Sequence, residues 1–346
     1  MEQKNFDPDG VGVDNGTYFG LPFAPETAEL VLISAPWDVT VSYGAGAAYA
    51  PDAIIEASTQ LDFHDPLAPG VWRRGIATAD VDYSLLESSQ RLRADAARVI
   101  DHLEGGGCLE DDYVVRKVRR VNEGCMSMNA NIGAQAARWL DAGKTVGLVG
   151  GDHSTPYGLI RALGDRHGEF GILHIDAHCD LRDAYEGFEF SHASIMFNVL
   201  RDVPQVTKIA QVAVRDFSGT EAALAASCGR IATFDDLSLA AAMFRGETWD
   251  ALCRRIVDAL PQEVYVSFDI DGLTFENCPH TGTPVSGGLT FNQAVWLLDT
   301  LTRSGRRIIG FDVVEVCPAP DERIDAITGA RMLWKLCGQT LKSNES

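Results

Sequence analysis

Basic residues are scarce in this chain: 29 Lys and Arg stand against 49 Asp and Glu, a formal net charge of −20. So acidic a surface repels nucleic acid and anionic membrane, and neither is expected as a partner. The eight cysteines are scattered, with no CxxC pair and no regular spacing. That excludes a disulfide framework and leaves a thiolate zinc site without support. Free thiols in a reducing cytoplasm are the expectation. The opening residues, MEQKNFDPDG, lack the apolar stretch of a secretory signal. No apolar run reaches the roughly 18 residues of a membrane-spanning helix. Internal repeats and low-complexity segments are absent too.

What is present is a sizeable apolar content, 46% of 346 residues, enough for a large core. Short apolar runs read as strands at 30–34, 75–79, 145–149, 171–175, 208–214, 230–234, 264–269 and 308–313. Near-continuous hydrophobicity suits strands covered on both faces of a parallel sheet. Amphipathic stretches at 114–140, 155–167, 247–260 and 291–304 alternate with them. The alternation predicts a layered α/β fold with helices on both faces and all strand C-termini along one edge. A single domain, 1–346, is expected. Residues 1–28 read as an N-terminal surface extension, and Gly105–Asp112 as a loop before a long helix.

Ligands of open α/β sheets sit outside the carboxyl ends of the strands. Four such ends carry unusual residues. Gly150-Gly151-Asp152-His153-Ser154 follows the run TVGLV; its glycines permit a tight turn, and His153 alone would pass for a turn histidine. Next comes Asp176-Ala177-His178-Cys179-Asp180. Alternation along an extended segment points Asp176, His178 and Asp180 the same way. Three such groups, unpaired at a strand end, would be costly to bury, and a cation removes the cost. His174 shares that parity deeper in the strand and reads as a satisfied core histidine, with an outer role behind a ligand as the alternative. Cys179 points away. The third end, Ser267-Phe268-Asp269-Ile270-Asp271, sets Asp269 and Asp271 on one side. The fourth offers Glu315 at the edge after Asp312, which reads as structural.

Two histidines and four carboxylates without thiolate suit two hard-to-borderline divalent ions, Mn²⁺ ahead of Zn²⁺, Fe²⁺, Co²⁺ or Ni²⁺. Two ions about 3.5–4 Å apart can share one water and lower its pKa. That nucleophile suits a guanidinium carbon, a poor electrophile whose leaving amine then needs a proton. His192, in Phe190-Ser191-His192-Ala193-Ser194, is the candidate proton shuttle. On position alone it reads equally well as a helix-start histidine.

These residues resemble the ureohydrolase family of arginases and agmatinases. GGDHS (150–154), DAHCD (176–180), SFDID (267–271) and TGTPVSGGL (281–289) match its signature segments in order, and PWDVTVSYGAGAAYAPDAI (36–54) resembles its N-terminal glycine-rich segment. The resemblance spans roughly 30 to 335. It implies a three-layer α/β/α sandwich around an eight-stranded parallel sheet, two Mn²⁺ per chain and a homotrimer or homohexamer. One ion would take His153, Asp176, Asp180 and Asp269. The other would take Asp176, Asp269, His178 and Asp271, with Asp176 and Asp269 bridging. Asp180 would also hold the water-derived hydroxide, Glu315 the substrate guanidinium, and His192 the transferred proton.

The substrate implied is a small cationic guanidino compound. Arg182 stands where an Asn would suit arginine, and Ser218 where an Asp would read its α-amine. The stretch 180–187 followed by SHAS instead resembles the agmatinase branch, which converts agmatine and water to putrescine and urea. Asp183, Glu186 and Glu189 are candidates to meet agmatine's ammonium, although each one singly reads first as a surface-solvated acid. Arg182 reads as paired to Asp183 or Glu186; unpaired, it would bind a carboxylate tail. Thr274-Phe275 replaces the Asp-Pro of many members. Guanidinobutyrate, guanidine, formimidoylglutamate and arginine stay open as substrates. So do the one-zinc deacetylase branch and a catalytically inactive homologue with an assembly or regulatory role.

Overall fold

A computed structural model describes residues 6–345. Eight strands form one all-parallel sheet: β1 (Leu30–Ala35), β2 (Ile76–Thr78), β3 (Thr145–Gly150), β4 (Phe170–Ile175), β5 (Val206–Val212), β6 (Ile231–Phe234), β7 (Glu263–Asp269) and β8 (Arg307–Val314). The sheet order is β2-β1-β3-β8-β7-β4-β5-β6. Each expected strand is found. The largest displacement is at β5, which starts at Val206 rather than 208 and ends at Val212.

Ten helices cover the sheet: α1 (Ala50–Ser58), α2 (Tyr83–Glu104), α3 (Asp112–Asp141), α4 (Tyr157–Gly164), α5 (Ile195–Asp202), α6 (Gly219–Ser227), α7 (Asp236–Phe244), α8 (Trp249–Asp258), α9 (Phe291–Arg303) and α10 (Ile324–Ser343). Alternate side chains of each strand serve opposite layers. Val31 and Ile33 pack with α2, α3, α4 and α5. Leu30 and Leu32 belong to the layer of α1, α8, α9 and α10. Each fully buried side chain of this kind contributes about 1.5–3 kcal/mol, so the fold is a three-layer α/β/α sandwich held from both faces. α3 and α4 approach closely where Gly133 faces Gly158; a Cβ on Gly158 would meet Asn129 O at 2.4 Å.

The N-terminal segment departs from the expected surface path. Residues 9–16 do run exposed, but Tyr18, Phe19, Gly20 and Leu21 are buried. Tyr18 Oη lies 2.8 Å from Ser34 Oγ, and the Phe19 N–H donates to Ser58 Oγ at 2.7 Å. Two large aromatic rings outweigh the Gly/Asp/Pro character of their surroundings.

Strands β3 and β4 are consecutive in sequence but separated in the sheet by β8 and β7. That is a topological switch point, where a crevice opens at the strand ends. Register aligns the four ends: Val149 pairs with Val313, Asp269 with Val314, and Ile175 with Phe268.

Candidate active site

The turn after β3 is shaped by a backbone contact. A Cβ on Gly151 would sit 1.7 Å from Trp37 O, so only glycine fits. Asp152 N–H then donates to that same carbonyl at 2.8 Å, and His153 N–H donates to Glu315 Oε1 at 2.8 Å. His153 is thereby aimed across the crevice. Its Nε2 lies 2.9 Å from Ser267 Oγ, which donates to Asp312 Oδ2 at 2.9 Å. With the serine proton on Asp312, the serine oxygen is left as acceptor. That holds a proton on His153 Nε2 and frees the Nδ1 lone pair.

His153 Nδ1 faces three carboxylate oxygens: Asp176 Oδ2 at 2.9 Å, Asp180 Oδ2 at 3.0 Å and Asp269 Oδ2 at 3.2 Å. A second group lies alongside. His178 Nδ1 is 3.1 Å from Asp271 Oδ2 and 3.4 Å from Asp176 Oδ1. Asp176 thus turns one oxygen to each group, as a bridging ligand must. All six residues expected around the ions are brought together. Asp176 and Asp180 do not converge by plain alternation, however. The segment leaves extended geometry, and Asp180 has φ of 53°. This left-handed kink brings Asp180 Oδ2 beside Asp176 while His178 serves the second group.

The donor set fits cations on geometry and chemistry. Adjacent ligands of an octahedral ion with bonds of about 2.1 Å lie about 3.0 Å apart, which matches the spacings around His153 Nδ1. That nitrogen and Asp271 Oδ2 are buried and make no hydrogen bond. Burial and the neighbouring Asp176 push Asp180 up to about 6, and burial with Asp271 and Asp176 raises Asp269. Buried carboxylates at this density are destabilising unless positive charge lies among them. His174, fully buried, sits 2.8 Å by Nε2 from Asp176 Oδ2 and so orients that carboxylate from behind.

A cavity of about 410 Å³ opens over the second group, with His178, Asp180, His192, Arg182, Tyr185, Asp216 and Glu221 on its walls. Its size falls within the range of about 300–1,000 Å³ of small-molecule sites. His192 faces it edge-on to Tyr185, with ring centroids 6.1 Å apart. Its Nδ1 is 3.3 Å from Ser191 Oγ, and its N–H donates to Thr40 Oγ1 at 3.2 Å. Burial, then the positive charge of His178, His153 and Arg93, lowers its pKa to about 3, so the ring is neutral near pH 7. Glu315 has φ of 60° and lies deeper, tied to the His153 backbone and raised in pKa by burial and Asp152.

The tail-reading expectations need correction. Arg182 pairs with neither Asp183 nor Glu186; its Nε is 3.7 Å from Glu221 Oε2, and its guanidinium lies 4.6 Å from the Tyr185 ring centroid. None of Asp183, Glu186 and Glu189 lines the cavity. Glu189 instead pairs with Arg201 at 3.1 Å. Asp183 precedes the turn at Tyr185–Phe188, Glu186 lies within it and Glu189 follows it, while Tyr185 alone of this stretch lines the cavity. Ser218 caps α6, accepting from Glu221 N–H while Glu221 bonds back, a complete capping box.

Sequence reasoning assigned no role to Arg215. Its guanidinium donates to the carbonyls of Ala213, Asp271, Leu273, Val285 and Ser286, at 3.0, 2.7, 3.2, 2.9 and 3.1 Å. It clamps the 281–289 loop and Asp271 to the end of β5. The available signal was an arginine ending an apolar run, Val212-Ala213-Val214-Arg215, where burial demands several acceptors.

Comparison with known proteins agrees with this geometry. A family model described as "Arginase family" matches residues 28–338. The N(1)-aminopropylagmatine ureohydrolase of Thermus thermophilus is 30% identical over 322 residues, 92% of this chain and 93% of that protein. The agmatinase of Pyrococcus horikoshii is 27% identical over 321 residues, 91% of this chain and 93% of its own length. Among solved structures, the proclavaminate amidino hydrolase from Streptomyces clavuligerus superposes with a TM-score of 0.73 at 22% identity, covering 95% of this chain and 97% of that one. At that identity it speaks for the fold alone.

Proposed function

The chain belongs to the arginase family of metal-dependent amidinohydrolases, and on that premise we propose that it hydrolyses agmatine to putrescine and urea with two Mn²⁺ ions. The observation that carries the reading is the pair of His–Asp groups sharing Asp176 beneath a cavity that His192 faces. His153, Asp176, Asp180 and Asp269 would hold one ion, and Asp176, Asp269, His178 and Asp271 the other. The ions, when bound, supply a nucleophile from water near neutral pH. Asp180 orients and accepts a proton at Oδ. Glu315 offers its second carboxylate oxygen to the guanidinium, since Oε1 is engaged by His153 N–H. His192 is neutral, and Ser191 engages its Nδ1, so Nε2 is the atom that would take up a proton from water or Asp180 and release it to the departing amine, returning the ring to its neutral form.

The tail argues for agmatine over arginine. Ser218 is occupied in capping α6, so no acid stands there to read an α-amine. Relatives named agmatinase and N(1)-aminopropylagmatine ureohydrolase support a decarboxylated substrate or its N-extended form. Arg182 on the cavity wall favours one second reading, a guanidino acid. An inactive homologue is disfavoured, because every expected ligand is present and converges. Small cationic substrate, homotrimer or homohexamer, and a cytoplasmic setting complete the proposal. Exposed Leu237 and Phe244 on α7 are available for subunit contact, and the free cysteines suit a reducing compartment. Among the described residues no helix is long and apolar enough to cross a membrane. The test is urea release by metal-stripped, Mn²⁺-reloaded protein from agmatine, arginine, guanidinobutyrate and guanidine. Agmatine is expected to lead; arginine leading would refute the assignment.

A further inference from the structure

Trp37 is held in place by its backbone. Its carbonyl accepts from Asp152 N–H at 2.8 Å and packs directly on Gly151. The indole is 1% exposed, and among the described residues its Nε1 has no hydrogen-bond partner. An indole nitrogen can only donate. A buried donor left unmet costs about 1–3 kcal/mol, so buried tryptophans ordinarily find an acceptor.

Trp37 lines a cavity of about 320 Å³ between α2 and α3. None of the residues lining it belongs to the cavity over His178. The two helices come close here, because Gly124 in the middle of α3 has no side chain: a Cβ would lie 2.2 Å from Leu92 Cδ1. The lining carries charge of one sign. In a chain of net charge −20, Arg91 and Arg120 are the charged side chains on this wall, and among the described residues no acid joins them. Arg91 donates to Ser88 Oγ at 2.9 Å and meets no carboxylate. Arg120 commits one terminal nitrogen to Asp95, at 2.8 Å, and the rest of its donor fork stays free. Ser88 accepts from Arg91 and keeps its own proton to donate, and Ser127 adds a hydroxyl from α3.

A water would serve Trp37 alone. A wall of donors with two guanidinium groups and no acid is the chemistry that holds a carboxylate or phosphate. We infer that the cavity between α2 and α3 is a binding site for a small oxyanion, with Arg91 and Arg120 at its exposed rim and Trp37 Nε1 at its buried floor. Its volume stands at the lower end of the range of about 300–1,000 Å³ of small-molecule sites, which fits a compact ligand. The site is separate from the metal crevice and takes no part in guanidino hydrolysis.

The test is calorimetric titration of Mn²⁺-loaded protein with inorganic phosphate and, separately, with acetate, on wild type, Arg91→Gln and Trp37→Phe. Wild type is expected to bind one anion per chain, and the tighter of the two names the group the site prefers. Each variant should weaken that binding about tenfold, as loss of one charge-assisted hydrogen bond does. Arg91→Gln changes an exposed side chain, so it keeps the test decisive if Trp37→Phe fails to fold. Equal affinity in wild type and Arg91→Gln would place the anion on the metal ions and overturn the site. Absence of saturable binding of either anion to wild type would overturn it as well. If that absence came with a smaller oligomer for Arg91→Gln by light scattering, the cavity would instead receive an acidic side chain of a second copy.

Discussion

Replacing Ser267 by alanine should weaken metal binding without touching a metal-facing atom. Ser267 Oγ links His153 Nε2 and Asp312 Oδ2, each at 2.9 Å, in a fully buried row. Removing it strands one donor and one acceptor. Each stranded buried group costs about 1–3 kcal/mol. Asp312 keeps one bond, from Phe268 N–H to Oδ1 at 3.1 Å, which limits its share. In the metal-free protein burial opposes charge on His153, but the facing carboxylates raise its pKa, so the ring carries both protons. Metal binding needs the neutral ring with its proton on Nε2, and without Ser267 nothing holds that tautomer against the one with no lone pair facing Asp176, Asp180 and Asp269. Metal-free protein, which needs no particular tautomer, should lose only the lower part of the total, about 2 kcal/mol. Metal-loaded protein must restore the original tautomer at a cost, which lowers metal affinity about 10–100-fold. Equilibrium dialysis against graded Mn²⁺ reads the affinity, and denaturant unfolding with and without metal reads the two stabilities. If Ser267→Ala held Mn²⁺ as tightly as wild type, the serine would have no part in fixing His153.

Three further outcomes follow from the geometry. His192→Ala should retain its metals while turnover falls about 10²–10⁴-fold, as loss of a proton-transfer group does; an intact rate with metal content measured alongside would remove His192 from proton transfer. Asp269→Ala should lose metal and activity together. Because burial and the charges of Asp271 and Asp176 raise the Asp269 pKa, its metal-free form should also melt above metal-free wild type, a difference scanning calorimetry would register. Asp95 joins α2 to α3 through Lys117 and Arg120, and the hydrogen bond from Lys117 holds its pKa below the usual carboxylate value. A depressed folded pKa contributes stability above the unfolded value of about 3.9 that is lost as pH falls through the folded one. Asp95→Asn should therefore cost about 1 kcal/mol at pH 7 and progressively less below pH 4, by urea unfolding across pH.

Much of the fold was legible because strands buried on both faces are nearly pure apolar runs, as at Leu30–Ala35 and Thr145–Gly150. Helix α10 was not, since it is buried along most of its length and shows no polar face of helical period. The cluster was legible because each carboxylate or histidine stands just past a strand end, where a structural role for it is hard to find. The tail-binding side was not. Whether Arg182 meets Asp183, Glu186 or Glu221 depends on how α6 packs beside the turn after Asp180, and spacing along the chain carries no trace of that. Tyr18 and Phe19 were likewise hidden by the polar residues around them.

The account rests most heavily on two cations held by six side chains that share Asp176. Titrating stripped protein with Mn²⁺ and counting bound metal per chain by elemental analysis tests this directly. Two ions per chain at saturation, falling to one or none in Asp176→Asn, is the expected result. Saturation of the wild type at a single ion would contradict it.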